Sequence, residues 1–208
     1  MSKKAIAAIA VLVGLLLVVL LPMIGSYNRL VSSSEAVDSQ WSQVENTYQR
    51  RADLIPNLVA TVQGAANFER ETLEAITNAR ASIGRTQINA DELPDNPEAF
   101  QEFQQAQDSL SSALSRLLVV VEAYPELKAT EAFRDLQVQL EGSENRIAVE
   151  RRRYNQVAQE YNTRRQRFPT NVIAGLFGFD RKTYFESTPG SDRPPEVNFG
   201  NTPAPSPT

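Results

Sequence analysis

No charged residue interrupts the chain between Lys4 and Arg29, and residues Ala5 to Leu21 carry no polar side chain. At about 1.5 Å rise per residue, a helix over residues 5–25 reaches roughly 30 Å, the thickness of a bilayer's hydrocarbon core. Each Leu, Ile or Val in it favours insertion by about 0.3–0.6 kcal/mol, and together they outweigh Gly14 and Pro22. A cleaved signal peptide is the competing reading, but its apolar region usually spans roughly 7–15 residues and ends in a small-x-small pattern. Here the run is longer, Ile24 stands where a small residue belongs, and no cysteine exists to form a lipoprotein site. The chain is therefore expected to carry an anchor over residues 1–26, with a single uncleaved transmembrane helix. Lys3, Lys4 and the terminal amine face Arg29, Glu35 and Asp38 across it. The positive-inside tendency puts the N-terminus in the cytoplasm and the following domain outside.

Beyond the anchor, a chain of 208 residues has room for one compact domain of ordinary size. It contains neither cysteine nor histidine. That excludes disulfide staples, thiolate chemistry, the usual zinc ligand sets and the commonest general base. A net charge of −4 argues against a nucleic-acid binder, which needs a strong basic footprint. There is no GxSxG, no P-loop, no GxGxxG after a strand and no histidine-based metal motif. Glu71 and Glu74 fall on one helix face and form no evident acid–base pair. No catalytic residue, metal site or cofactor is expected.

From Tyr27 onward the apolar residues recur at helical spacing. Leu30, Val37, Trp41, Val44, Tyr48, Ile55, Val59 and Val62 lay one stripe along about ten turns. Gly25-Ser26 is the one weak point between this helix and the span. Pro56 predicts a kink without a break, since its ring removes one donor and pushes on the carbonyl of Ala52. A second helix is expected over Asn67–Ile83. Loop chemistry follows from Gly84 to Pro97, where two prolines, three acidic residues and two asparagines cluster. Phe103, Ala106, Leu110, Leu114, Leu117, Val121 and Tyr124 keep a near-heptad rhythm until Pro125 ends it. A last long helix runs from Thr130 to about Arg167, and Gly142 inside it is read as a close helix contact. The expected fold is all-α: a transmembrane helix followed by an antiparallel bundle of three to four long helices over residues 27–186. Residues 187–208, with six prolines, are expected to be disordered.

Several blocks of the sequence resemble the LemA family: YNRLV at Tyr27–Val31, WSQVENTYQRRADLIPNLVATVQG at Trp41–Gly64, and the long run from Arg116 to Phe179. The last contains YPELKA, EGSENRIA, YNxxxxxYN and FPTN…FGF in that order. The resemblance implies a single-pass membrane protein with a helical-bundle domain. It brings no agreed biochemical activity. Family members often lie beside genes for membrane-bound peptidases, and some relatives act in organelle-like bacterial membranes, which implies an accessory role and a membrane peptidase as a candidate partner. The chain departs from the family at AANFER, Ala65–Arg70, where a tyrosine and a histidine are common. Histidine chemistry is therefore closed to it.

Three groups of residues stand out as candidate contacts. Asn46, Arg50, Asp53 and Asn57 share a face of the first helix, either as a polar docking strip or as a solvated face with local pairs. Arg51 and Glu150 both project from apolar faces, and they are expected to meet as a partly buried ion pair unless both snorkel to the rim. The basic stretch that includes Arg164 and Arg165 runs into an apolar segment with Phe168, Phe177 and Phe179. That segment either caps the bundle or contacts a membrane surface or partner. The expected role is a non-catalytic adaptor or scaffold for another protein at the bacterial inner membrane. The alternative is a self-assembling or membrane-surface protein, and no nucleic-acid partner is expected.

Overall fold

The computed structural model describes residues 3–64, 68–86 and 90–186, and among them there is no strand. Helix α1, Lys3–Gln63, is a single helix of 61 residues, about 90 Å long at 1.5 Å per residue. It passes without a break through Pro22, Gly25-Ser26 and Pro56. Its first part is long and apolar enough to cross a membrane, and the rest of the protein leaves that part bare. Helix α2, Arg70–Thr86, runs past Ile83, so that Gly84 is helical and does not open the loop. A 3-10 turn over Ala90–Asp95 occupies much of the expected loop. Leu93 pins it by burying fully in the core.

Helix α3, Pro97–Val121, begins as its sequence dictates. Asn96 caps it by accepting the Ala99 N–H at 3.1 Å, Pro97 stands in the first turn, and Glu98 complements the helix dipole. Pro125 opens the short helix α4, Pro125–Lys128. Helix α5, Glu131–Gln166, is capped by the Thr130 hydroxyl and carries Arg164 and Arg165 in its last turn. Helix α6, Thr170–Phe177, ends at Gly178, whose φ of 71° lets the Phe179 N–H return to the Ala174 carbonyl at 3.0 Å. Residues 179–186 then run back along the bundle as an extended strap. The Pro-rich segment 187–208 lies outside the described residues.

Cross-bundle partners fix the topology. Ser33, Gln40 and Arg51 of α1 bind Arg164, Glu150 and Glu144 of α5 in turn, so these helices are antiparallel. Trp41, Tyr48 and Arg51 meet Phe100, Phe103 and Gln107 of α3, which therefore runs parallel to α1. Helix α2 pairs with α3 over the half of the bundle distant from the apolar span. Gly142 on α5 is exposed, and a Cβ there would meet nothing within 4 Å. The expected close helix contact at that glycine is absent.

The interior divides in two. The half nearer the span is aromatic, with Trp41, Tyr48, Phe100, Phe103, Tyr154 and Phe185 packed together. The far half is aliphatic, built on residues such as Ile55, Leu58, Leu110, Leu117 and Leu136, with Phe133 at its edge. Arg51 stands between them.

Candidate functional site

Arg51 is 1% exposed, one turn after Tyr48 and one before Ile55. Its guanidinium donates to Glu144 Oε1 at 2.5 Å, to Ser111 Oγ at 2.8 Å, and to Gln107 Oε1 at 2.5 Å. It also lies 5.3 Å from the Tyr48 ring centroid, within reach of a cation–π contact. The expected pairing of Arg51 with Glu150 is therefore corrected. Glu150 sits two turns closer to the span, where Gln40 donates to it and Arg153 forms a salt bridge at 2.8 Å. The error is one of register. In an antiparallel pair the apolar pattern shows that Arg51 faces inward, but i+3/i+4 steps leave several carboxylates of α5 as possible mates. Glu144 is 44% exposed and reaches inward from the rim, so the pair joins a buried charge to a solvated one.

A neighbouring arginine ties the same elements to the strap. Arg151 Nε donates to the Tyr48 hydroxyl at 2.5 Å, Nη2 reaches Asp108 at 3.4 Å, and the guanidinium stacks 4.8 Å from the Phe185 ring centroid. Burial raises the Tyr48 pKa against the opposing charge of Arg151.

The strap is held by side chains acting as a strand partner would. Asn162 of α5 donates to the Lys182 carbonyl at 2.8 Å and accepts the Lys182 N–H at 3.0 Å. Asn155, seven residues earlier, does the same for Phe185, both at 2.9 Å. Gln104 of α3 repeats the pattern at Glu186. The adjacent tyrosines add a hydroxyl each: Tyr161 donates to the Asp180 carbonyl at 2.8 Å, and Tyr154 to that of Thr183 at 3.0 Å. The registers agree, because seven residues of helix rise about 10.5 Å and three residues of extended chain about 9–10 Å. The spacing of YNxxxxxYN thus has a physical reading as a two-step clamp. The apolar period marks only the tyrosines, as core residues, and gives no sign of either asparagine. The repeat of the Tyr-Asn pair at one heptad was the available signal.

Lys182 completes the clamp from the strap side. It is 4% exposed, and its ammonium donates to Asp38 of α1 at 3.0 Å and to Asp95 of the 3-10 turn at 2.8 Å. Burial alone would lower its pKa, but the hydrogen bonds and charges of Asp95 and Asp38 outweigh that and hold it above the ordinary lysine range. Burial, reinforced by the Asp95 charge, also raises both clamp tyrosines, Tyr161 to about 12 and Tyr154 further.

The remaining candidates fall on two separate surfaces. Asn46, Arg50, Asp53 and Asn57 are all exposed along α1, and Asp53 accepts from Gln49 at 2.9 Å. Arg164 and Arg165 lie near the span: Arg164 reaches the Ser33 hydroxyl and the Arg29 carbonyl, while Arg165 Nε donates to the Phe179 carbonyl at 2.6 Å. Phe168 and Phe177 are exposed, and Phe179 is half-buried. Helix α6 packs on α1 and α5 through Thr170, Ile173 and Ala174. The inner face of this segment caps the bundle while its outer face stays bare. Among the described residues no group of three or more Asp or Glu converges as a metal site.

The span-adjacent helix, the four-helix core and the clamped strap together occupy residues 3–186, and the LemA family model matches residues 40–199. The chain belongs to the LemA family. The match takes in the aromatic core, Arg51, the clamp asparagines and the strap, and it begins after the apolar span. Among curated proteins, the magnetosome proteins MamQ 1 and MamQ 2 of Paramagnetospirillum magneticum are each 29% identical over 183 residues, covering 81% of this chain and 67% of theirs. MamQ of Magnetospirillum gryphiswaldense is 27% identical over the same length. Protein LemA of Metamycoplasma hominis is 27% identical over 151 residues, covering 73% of this chain and 64% of its own. The chain thus spans about two thirds of the length of these relatives. Such relatives and the long N-terminal apolar helix fit a membrane-associated protein.

Proposed function

We propose that this LemA-family protein is a membrane-anchored, non-catalytic adaptor, a rigid post that holds a protein-binding surface at a set height above the bilayer. The observation that carries this is the continuity of α1, which leaves the apolar span and enters the bundle core as one helix. From Gly25 to Arg50 and Asn57 that helix rises roughly 40–50 Å. A hinge-free link fixes the polar strip in height and direction relative to the span itself, which serves positioning of a partner and gives nothing to a diffusing enzyme. The use of reactive groups supports the same reading. Arg51, Arg151, Asn155, Asn162 and Lys182 are all engaged in internal bonds.

By the positive-inside tendency the bundle lies outside the bacterial cytoplasmic membrane, and the partner is another membrane protein. In-cell photo-crosslinking tests this, with probes at Arg50 and Asn57 and a control at buried Leu114. One recurrent membrane protein, captured from both surface positions and lost when a flexible Gly-Ser segment is inserted after Gly25, is the expected result. Capture of this chain alone would turn the reading to self-assembly. Crosslinks unchanged by the insertion would remove the rigid-post argument.

A further inference from the structure

Among the described residues outside the span, the large apolar side chains left exposed are not scattered. Val119 and Val138 stand singly, as is normal on any surface. Phe168, Val172, Leu176 and Phe177 instead crowd onto one ten-residue segment, with Phe168 83%, Leu176 71% and Phe177 57% exposed. Helix α6 has no charged residue, and its opposite face, through Ile173 and Ala174, is fully committed to the core. Beyond Thr170 and Asn171 in its first turn, α6 is apolar on both faces, one packed on protein and one bare, and such a bare face suits an apolar neighbour.

Its place in the fold says which neighbour. The Phe177 ring lies 5.0 Å from that of Tyr27, and the Phe179 ring lies 5.8 Å from it. Tyr27 follows the apolar run by two residues. Met23, one turn earlier on the same face, is half covered, whereas the other residues described from Ile9 to Gly25 are bare. The outer face of α6 is thus level with the last turn of the span and continuous with it. Arg29, Arg164 and Arg167 are exposed at this same end, one to two turns farther from the span.

We infer that the outer face of α6 seats in the headgroup–acyl boundary of the leaflet from which α1 emerges, giving the bundle a second membrane contact. This rests on the reading of residues 5–25 as a transmembrane helix. Aromatic rings at the level of the span's end suit the interfacial zone. Guanidiniums one to two turns above it fall where lipid phosphates lie. Two backbone donors in the first turn of α6 are already satisfied, the Asn171 N–H by the Arg167 carbonyl at 2.9 Å and the Val172 N–H by the Pro169 carbonyl at 3.2 Å, so shallow burial leaves these two groups paired. A protein partner would have to cover a face that already borders lipid. A lone span lets the bundle tilt and spin about its axis, and a second contact off that axis prevents both.

The absence of native cysteine makes the test direct. Single nitroxide labels are placed through Leu17→Cys, Leu176→Cys, Phe168→Cys and Val138→Cys in the full-length protein, reconstituted in phosphatidylethanolamine–phosphatidylglycerol vesicles. Collision with oxygen is compared with collision with a water-soluble nickel chelate. The labels at 17, 176 and 168 are expected to favour oxygen, the one at 138 the chelate. If 17 favours oxygen while 176 and 168 respond like 138, the anchor stands and the inference is overturned. If 17 itself favours the chelate, the anchor and the inference fall together.

Discussion

Asn162 holds Lys182 by both backbone polar groups, donating to its carbonyl at 2.8 Å and accepting its N–H at 3.0 Å. Asn155 repeats the grip at Phe185. Between them, the two side chains give an isolated extended segment the hydrogen bonds that a neighbouring strand would otherwise supply. Truncating Asn162 therefore strands a buried peptide group as well as removing a contact. Asn162→Ala is expected to cost about 1–3 kcal/mol, the penalty for an unpaired buried polar group. Hydrogen exchange gives the sharper readout. The Lys182 and Phe185 amides should be protected in the native protein and exchange freely in Asn155→Ala/Asn162→Ala, while the core amides of α1 keep their protection. Retained protection at both amides in the double variant would show that the clamp does not hold the strap.

Arg51 and Glu144 bond across the boundary between the aromatic and aliphatic cores. The buried partner sets the asymmetry. Arg51→Ala removes a fully buried side chain that touches Ser111, Gln107 and Tyr48 as well as Glu144, and about 3–5 kcal/mol of destabilisation is expected. Glu144→Ala leaves Arg51 its other partners and removes a carboxylate already half in water, so about 1–2 kcal/mol is expected. A double-mutant cycle on unfolding free energies should give measurable coupling for Arg51–Glu144 and none for Arg51–Glu150. Coupling to Glu150 in its place would contradict the register described.

Alkaline pH attacks the strap at several points together. The folded protein holds the protons of Tyr161, Tyr154 and Lys182 more tightly than an unfolded chain does, since all three are raised. The unfolded state then binds fewer protons, and stability falls as pH rises. The window opens at the ordinary tyrosine and lysine values of about 10 and runs through Tyr161 at about 12. Ionised Tyr161 could no longer donate to the Asp180 carbonyl, and neutral Lys182 would lose its attraction to Asp38 and Asp95. Melting temperature should be insensitive to these groups below pH 10 and drop above it. Tyrosinate absorbance should rise together with the unfolding signal. Titration of Tyr161 near 10 in a fully folded protein would defeat this account.

The bundle was legible because its helices carry unambiguous apolar stripes: of the residues named on the first stripe, all but Val59 are fully buried. Pro97 and Glu98 likewise suit a helix start, the proline in the first turn and the carboxylate at the positive end of the dipole. Register across the bundle was not legible. A stripe says which face of α5 points inward but not which turn meets Arg51, and that choice depends on loop lengths and on how far α2 extends. The strap was the harder loss. Residues 179–186 have no period of their own, and their partners Asn155 and Asn162 look like ordinary polar neighbours of core tyrosines until the chain is seen folding back onto them.

Two glycines put the backbone argument to a direct trial, because an added Cβ would meet nothing within 4 Å at either. Only backbone conformation then distinguishes them. Gly142 lies exposed inside α5, where alanine is favoured by roughly 1 kcal/mol. Gly178 closes α6 with a φ of 71°, a region that costs an L-residue about 1–2 kcal/mol. Gly142→Ala should therefore raise the melting temperature by about 2–4 °C, and Gly178→Ala should lower it by a similar amount. The second change should also loosen Phe179, whose N–H closes the turn on Ala174 and whose carbonyl binds Arg165. Hydrogen exchange at Phe179 should accelerate in Gly178→Ala alone. A fall in stability for Gly142→Ala would mean that another surface packs against that exposed turn of α5, and the site would then mark an interface in place of a solvated face.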